Sequence, residues 1–246
     1  MDFSGKKMLV VSAHPGDLLW RCSGAIAKHV SMGGTADVVI ITYGTGGEAN
    51  EVMKQPGMTV EQCKAERKRD TEKAAEILGV RSIEFFDCED YPFEATREQH
   101  RRLAKKIRQI EPDLILTHHE YDYCNPDHGS ILKYVITSCE IAGGFGIEIE
   151  GTKPGAGGRT PIFCFEPHAS EINGFQPNLF VDISDVIETK KAAMACFEGK
   201  KALAERYIQR ALVRADNARS FGRSQCKYAE AYQAVYPIAV NGYFVY

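Results

Sequence analysis

The chain lacks three things that would each announce a class of function: cysteines paired at short spacing, a long apolar run, and an excess of positive charge. Eight cysteines stand at 22, 63, 88, 124, 139, 164, 196 and 226, with no CxxC pair among them. A chain of 246 residues is too large to need disulfide staples, so they read as reduced, mostly packing residues. The apolar run Met8–Ala13 stops after six residues at a histidine, too short for a secretory signal. No stretch approaches the roughly 20 apolar residues that a bilayer span requires, which points to a soluble, cytoplasmic protein without a membrane partner. A net charge of −3 and a pI near 6.2 offer no field for nucleic acid. The charged partners left to consider are small molecules. We find no internal repeats and no low-complexity segments.

What is present is an ordinary globular composition, 44% apolar and 26% charged, enough for a sizeable core. Length alone permits one large or two small domains, and the pattern favours one spanning residues 1–246. MLVVSA (8–13), ADVVIITYG (36–44), SIEFFD (82–87), DLILTHH (113–119) and PIFCFEP (161–167) read as buried strands. Helical spacing begins near Leu19 and closes at Gly33-Gly34, and further helices are expected over 59–79, 96–111 and 129–142. This alternation predicts an α/β fold with a doubly wound, mostly parallel sheet flanked by helices. NLFVDIS (178–184) and a long helical stretch from about Asp185 to Arg214 are expected to pack on the same core. The loop GTKPGAGGRT (151–160) is the best linker candidate, but it is expected to border the site rather than to separate domains.

In open parallel sheets the ligand crevice lies beyond the carboxyl ends of the strands. His14 and Asp17 follow the first strand, Glu48 the second, His118 through His128 the fourth, and His168 the strand at 161–167. His14 and Asp17 lie three apart on a turn with Pro15, so both side chains can converge on one ion, and His128 in NPDHG can complete a set of three. Imidazole and carboxylate donors suit zinc or iron(II), and three protein ligands leave a position open, as catalytic sites require. HxxD taken alone is a poor motif and reads more readily as a hydrogen-bonding turn. That plainer reading is preferred for His29, His100 and one of His118 and His119.

The strings VVSAHPGDLLWRCSGAIA and PDLILTHHEYDYCNPDHGS resemble the PIG-L (LmbE-like) de-N-acetylases, whose hallmarks are AHPDD after the first strand and a later HPDH. ERKRDTEKAAEILGV, FVDISDVIETKKAAMACFEGK and ARSFGRSQCKYAEAY extend the resemblance over nearly the whole chain. It implies an LmbE-like, Rossmann-type fold with Zn2+, Fe2+ or another divalent metal on His14, Asp17 and His128. Two positions depart from the pattern. The first Asp of AHPDD, the base that activates water in the family, is Gly16, and the first His of HPDH is Asn125. A glycine cannot accept a proton, so amide hydrolysis loses a contribution of about 10²–10⁴-fold.

AHPGDLLWRCSGAIA and TYGTGGEAN are similar to a hydratase branch of this fold, which adds water to the conjugated C=C bond of 4-oxalomesaconate, a tricarboxylate of gallate and protocatechuate breakdown. That resemblance implies acid/base work for Glu48 and His168. Each has a plainer reading, Glu48 as a solvated loop carboxylate or support to a ligand histidine, and His168 as a capping or core residue. Asp127 could orient a ligand histidine. A tricarboxylate needs cations, for which Arg21, Arg159, Arg219 and Arg223 are candidates. The rival readings are a zinc-dependent deacetylase with a substitute base and a binding protein that kept the metal turn but lost its activity. Self-association is expected.

Overall fold

The computed structural model describes residues 2–155 and 160–238. Strand β1 (Lys7–Ser12) is buried on both faces from Met8 onward, and it pairs in parallel with β2 (Thr35–Thr42) on one side and β4 (Leu114–Thr117) on the other. β3 (Ser82–Cys88) extends the sheet beyond β2, and β5 (Ile162–Phe165) extends it beyond β4, both in parallel. β6 (Leu179–Asp182) and β7 (Ala229–Ala234) then close the far edge antiparallel, giving the order β3-β2-β1-β4-β5-β7-β6. The sheet is therefore mostly parallel with the fold class expected.

Helices α4 (Val60–Ile77) and α5 (Arg97–Ile110) begin in capping boxes, Thr59 with Gln62 and Thr96 with Gln99. Each box satisfies two amides that would otherwise stay open. α5 ends where Glu111 turns to φ 52° ahead of Pro112. With α6 (Pro126–Gly143) it covers one face of the sheet, where Leu103, Ile107, Ile131 and Val135 meet Leu9, Val11 and Ile115. Residues from the last third of the chain pack into the core on the other face. Ile183, Ile187, Met194, Tyr207 and Tyr232 pack there with Val10, Ile26 and Ile40.

Three expectations need correction. The helix expected from Leu19 is two, α1 (Asp17–Arg21) and α2 (Ser23–Ser31), broken at Cys22. A buried ion pair holds the break. Lys190 Nζ donates to the carbonyls of Leu19 and Trp20 and to Glu230, whose carboxylate accepts from the amides of Gly24 and Ala25. The stretch from Asp185 to Arg214 likewise divides into α7 (Ile187–Met194) and α8 (Lys201–Ser220) around Gly199 at φ 77°. Finally, the described residues of the loop expected to border the site, 151–155 and 160, lie by the ends of α5 and α6 and the start of β4, at the end of the sheet away from the candidate ligands. The Gly155 amide donates to Ala142 near the end of α6, and 156–159, with Arg159, lie outside the described residues. α3 (Asn50–Met53) is a single turn after β2.

Candidate active site

Asp17 opens α1 just past β1, and its carboxylate accepts from the His14 amide at 3.0 Å, closing the HPGD turn on itself. His128 arrives from the first turn of α6, which starts in a favourable way: Pro126 in the first turn costs no hydrogen bond, and the Asn125 side chain caps the Asp127 amide at 3.0 Å. Gly129 lets that turn approach the exit of β4, because a Cβ there would lie 2.4 Å from the Glu120 carbonyl. One ligand-type atom each from His14, Asp17 and His128 lie within 4.8 Å of one another, all three side chains buried.

The surroundings leave one nitrogen of each ring facing Asp17. His14 Nε2 is bonded to Asp127 Oδ2 at 2.9 Å, and its Nδ1 lies 3.2 Å from Asp17. His128 Nδ1 is bonded to Asp122 Oδ2 at 2.9 Å, while its Nε2 is buried without a hydrogen-bond partner, 3.4 Å from Asp17 Oδ1. An orphaned buried polar atom costs about 1–3 kcal/mol, and a divalent cation among these three residues would remove that cost. The donor set therefore fits a metal, and the carboxylate partners of both rings are of the kind that orient metal-binding histidines. Burial alone would lower the His14 pKa, but the hydrogen bonds of Asp127 and Asp17 outweigh it and carry it to about 9. Burial would raise Asp122, yet His128, His168 and Arg21 hold it well below the usual carboxylate range.

Glu48 lies 3.9 Å from His14 Nδ1, partly exposed, and its Oε1 accepts from Asn125 Nδ2 at 2.6 Å. Asn125 thus both caps α6 and grips Glu48. Gly44, at φ 67°, allows this approach: a Cβ there would stand 2.8 Å from Glu48 Cβ and 3.0 Å from His14 Cδ2. His168 stacks parallel to His128 with centroids 5.5 Å apart and bonds Asp122 through Nδ1 at 2.9 Å. The five residues singled out from the sequence converge on one site. His118, His29 and His100 make ordinary hydrogen bonds to the Ala13 amide, the Lys6 carbonyl and the Ser138 hydroxyl, and His119 bonds the backbone of Tyr121.

Several neighbours escaped the sequence reading. Asp122 holds two of the rings, and only its Asx turn in YDYCN signals it. Arg67, from α4, is buried with Nε unpartnered, and its Nη2 would lie 3.2 Å from a Cβ at Gly44. Of the arginine candidates, Arg21 donates to Asp17, Asp122 and the Glu166 carbonyl and lies against the His168 ring. Arg219 and Arg223 pair instead with Asp216 and Asp182. The place beside Gly16 is filled too, since a Cβ there would meet Trp20 Nε1 at 2.7 Å.

Residues 9–139 match the family model of PIG-L, the GlcNAc-PI de-N-acetylases. The chain is 37% identical over 243 residues to the 4-oxalmesaconate hydratase of Pseudomonas putida, covering 96% of this chain and 92% of that protein. The crystal structure of the 4-carboxy-2-hydroxymuconate hydratase from Pseudomonas putida KT2440 superposes with a TM-score of 0.91 at 35% identity, covering 97% of this chain and all (100%) of that one. A diacetylchitobiose deacetylase from Thermococcus kodakarensis is 29% identical over 201 residues, 79% of this chain and 70% of its own.

Proposed function

The chain belongs to the PIG-L family, and from that premise we propose that it is a metal-dependent hydratase, a hydro-lyase adding water to the C=C bond of 4-oxalomesaconate to give 4-carboxy-4-hydroxy-2-oxoadipate. The observation that carries the reading is the contrast between two positions. Beside Gly16, where the family's deacetylases keep their water-activating aspartate, stands the Trp20 indole, while Glu48 and His168 flank the three candidate ligands. His14, Asp17 and His128 would hold the ion, in our reading Zn2+, which when bound would supply Lewis-acid polarisation of the substrate's carbonyl.

The protein groups divide the proton work. Glu48 takes the proton from the water that attacks the β-carbon; its partial exposure lets it return that proton to solvent, and the Asn125 amide fixes its orientation. His168 delivers a proton to the α-carbon, its ring oriented by Asp122. Asp127 and Asp122 hold the ligand imidazoles in one tautomer each, with the far nitrogen protonated. Arg67 is the cation we assign to one substrate carboxylate, because its Nε is buried and unpartnered whereas Nε, Nη1 and Nη2 of Arg21 each already bond a protein group. Glu48→Gln tests the division. Metal content should stay near normal while kcat falls by about 10²–10⁴-fold, and His168→Ala should act similarly with a less than additive double variant. Loss of metal from Glu48→Gln would make Glu48 a ligand or its support; near-normal turnover would remove it from the chemistry.

A further inference from the structure

Three consecutive backbone carbonyls beyond β5 each end on an arginine. Arg21 Nη1 donates to Glu166 O at 2.6 Å, Arg210 Nη1 to Pro167 O at 2.9 Å, and Arg210 Nη2 to His168 O at 2.6 Å. The Glu166 carboxylate in turn accepts from Arg214 Nε at 2.9 Å and from Ser170 Oγ at 2.8 Å. The turn carrying His168 is thereby tied to α1 on one side and to α8 on the other. Carbonyls just past a strand end normally find water or the next element. Here the planar fork of one guanidinium spans two of them, a geometry that fixes direction as well as distance.

α8 has an apolar docking face of its own. Tyr207, Ala211, Ala215 and Ala218 bury its inner face, and the Arg210 side chain keeps 21% of its surface in solvent. One of its two hydrogen bonds goes to the very residue whose ring lies 5.5 Å from the His128 ring, and the other to the residue before it. We propose that Arg210 is a positioning residue: through the carbonyls of 167 and 168 it sets where the His168 imidazole stands, and with it the rate of proton delivery. This rests on the reading of His168 as the proton donor given above. The clamp acts on placement and not on substrate binding, so its removal should appear in kcat rather than in KM.

A double-mutant cycle of Arg210→Met and His168→Ala on the metal-loaded protein, assayed with the conjugated muconate, separates this role from a structural one. Arg210→Met alone should lower kcat by about 10- to 100-fold, the cost of misplacing a reacting group by roughly an ångström. KM and metal content should change little. In the His168→Ala background the same substitution should cost almost nothing, because the group it places is gone. Arg210→Lys, able to reach one carbonyl but not both, should fall between and keeps the test open if Arg210→Met folds poorly. Equal losses in both backgrounds, or an effect confined to KM, would overturn the proposal. Native turnover by His168→Ala would overturn the proton-donor reading beneath it, a result distinct from either.

Discussion

Replacing Gly16 by aspartate restores the residue type that the family's deacetylases carry, and the structure sets a cost on doing so. Its Cβ would come 2.7 Å from Trp20 Nε1 and 3.4 Å from Cδ1. The indole cannot swing away freely, because it stacks on Tyr207 with centroids 6.1 Å apart and meets Phe197 edge-on at 6.1 Å. Overpacking of this kind costs about 1–3 kcal/mol. At about 2–4 °C per kcal/mol for a chain of this size, the expected fall in Tm is roughly 2–12 °C. Gly16→Ala, with the same Cβ and no carboxylate, should show most of the fall, and Trp20→Ala should relieve the further loss from either substitution. Hydration should drop in Gly16→Asp, with amide hydrolysis measurable only once Trp20 is also reduced. A Gly16→Asp protein that melts at the native temperature and hydrolyses an N-acetyl sugar would refute the reasoning.

Further outcomes follow from the same geometry. His14→Ala, Asp17→Ala and His128→Ala should each lose most bound metal and activity together, while the secondary structure seen by circular dichroism persists on an apolar core that does not need the ion; full occupancy in all three would contradict this. Asp127→Asn should weaken metal binding by about 10–100-fold by removing the carboxylate on His14 Nε2, and titration with a competing chelator reads it directly. Because Asp127 and Asp17 outweigh burial and hold metal-free His14 at about 9, the ring is protonated at neutral pH and must release that proton to bind. The metal Kd should therefore fall about tenfold per pH unit from about pH 7 and level off above 9, whereas a pH-independent Kd would sink this account.

The central strands were legible because they are continuous apolar runs, and α4 and α5 because helical spacing runs through 59–79 and 96–111. β7 was not. Its inward-facing Glu230 breaks the apolar alternation and is satisfied by partners from elsewhere in the chain, Lys190, 40 residues away in sequence, and the amides of Gly24 and Ala25. The same ion pair bonds the open backbone groups on both sides of the α1–α2 break, which no local pattern reveals. Of the candidate ligands, His14 and Asp17 stood out just after an apolar run and His128 in the NPDHG turn. Arg67 did not, since it is one charge among many in ERKRD until α4 docks and buries it. Asp122 likewise meets His168, 46 residues further on, only through tertiary packing.

The central claim is tested most directly on one preparation of metal-loaded native protein, with its metal counted, given the conjugated muconate in one cuvette and an N-acetylated sugar in another. The account expects the ultraviolet absorbance of the conjugated double bond to disappear at an enzymatic rate that a chelator abolishes, with no acetate released from the sugar. Acetate release with the muconate absorbance unchanged would contradict it.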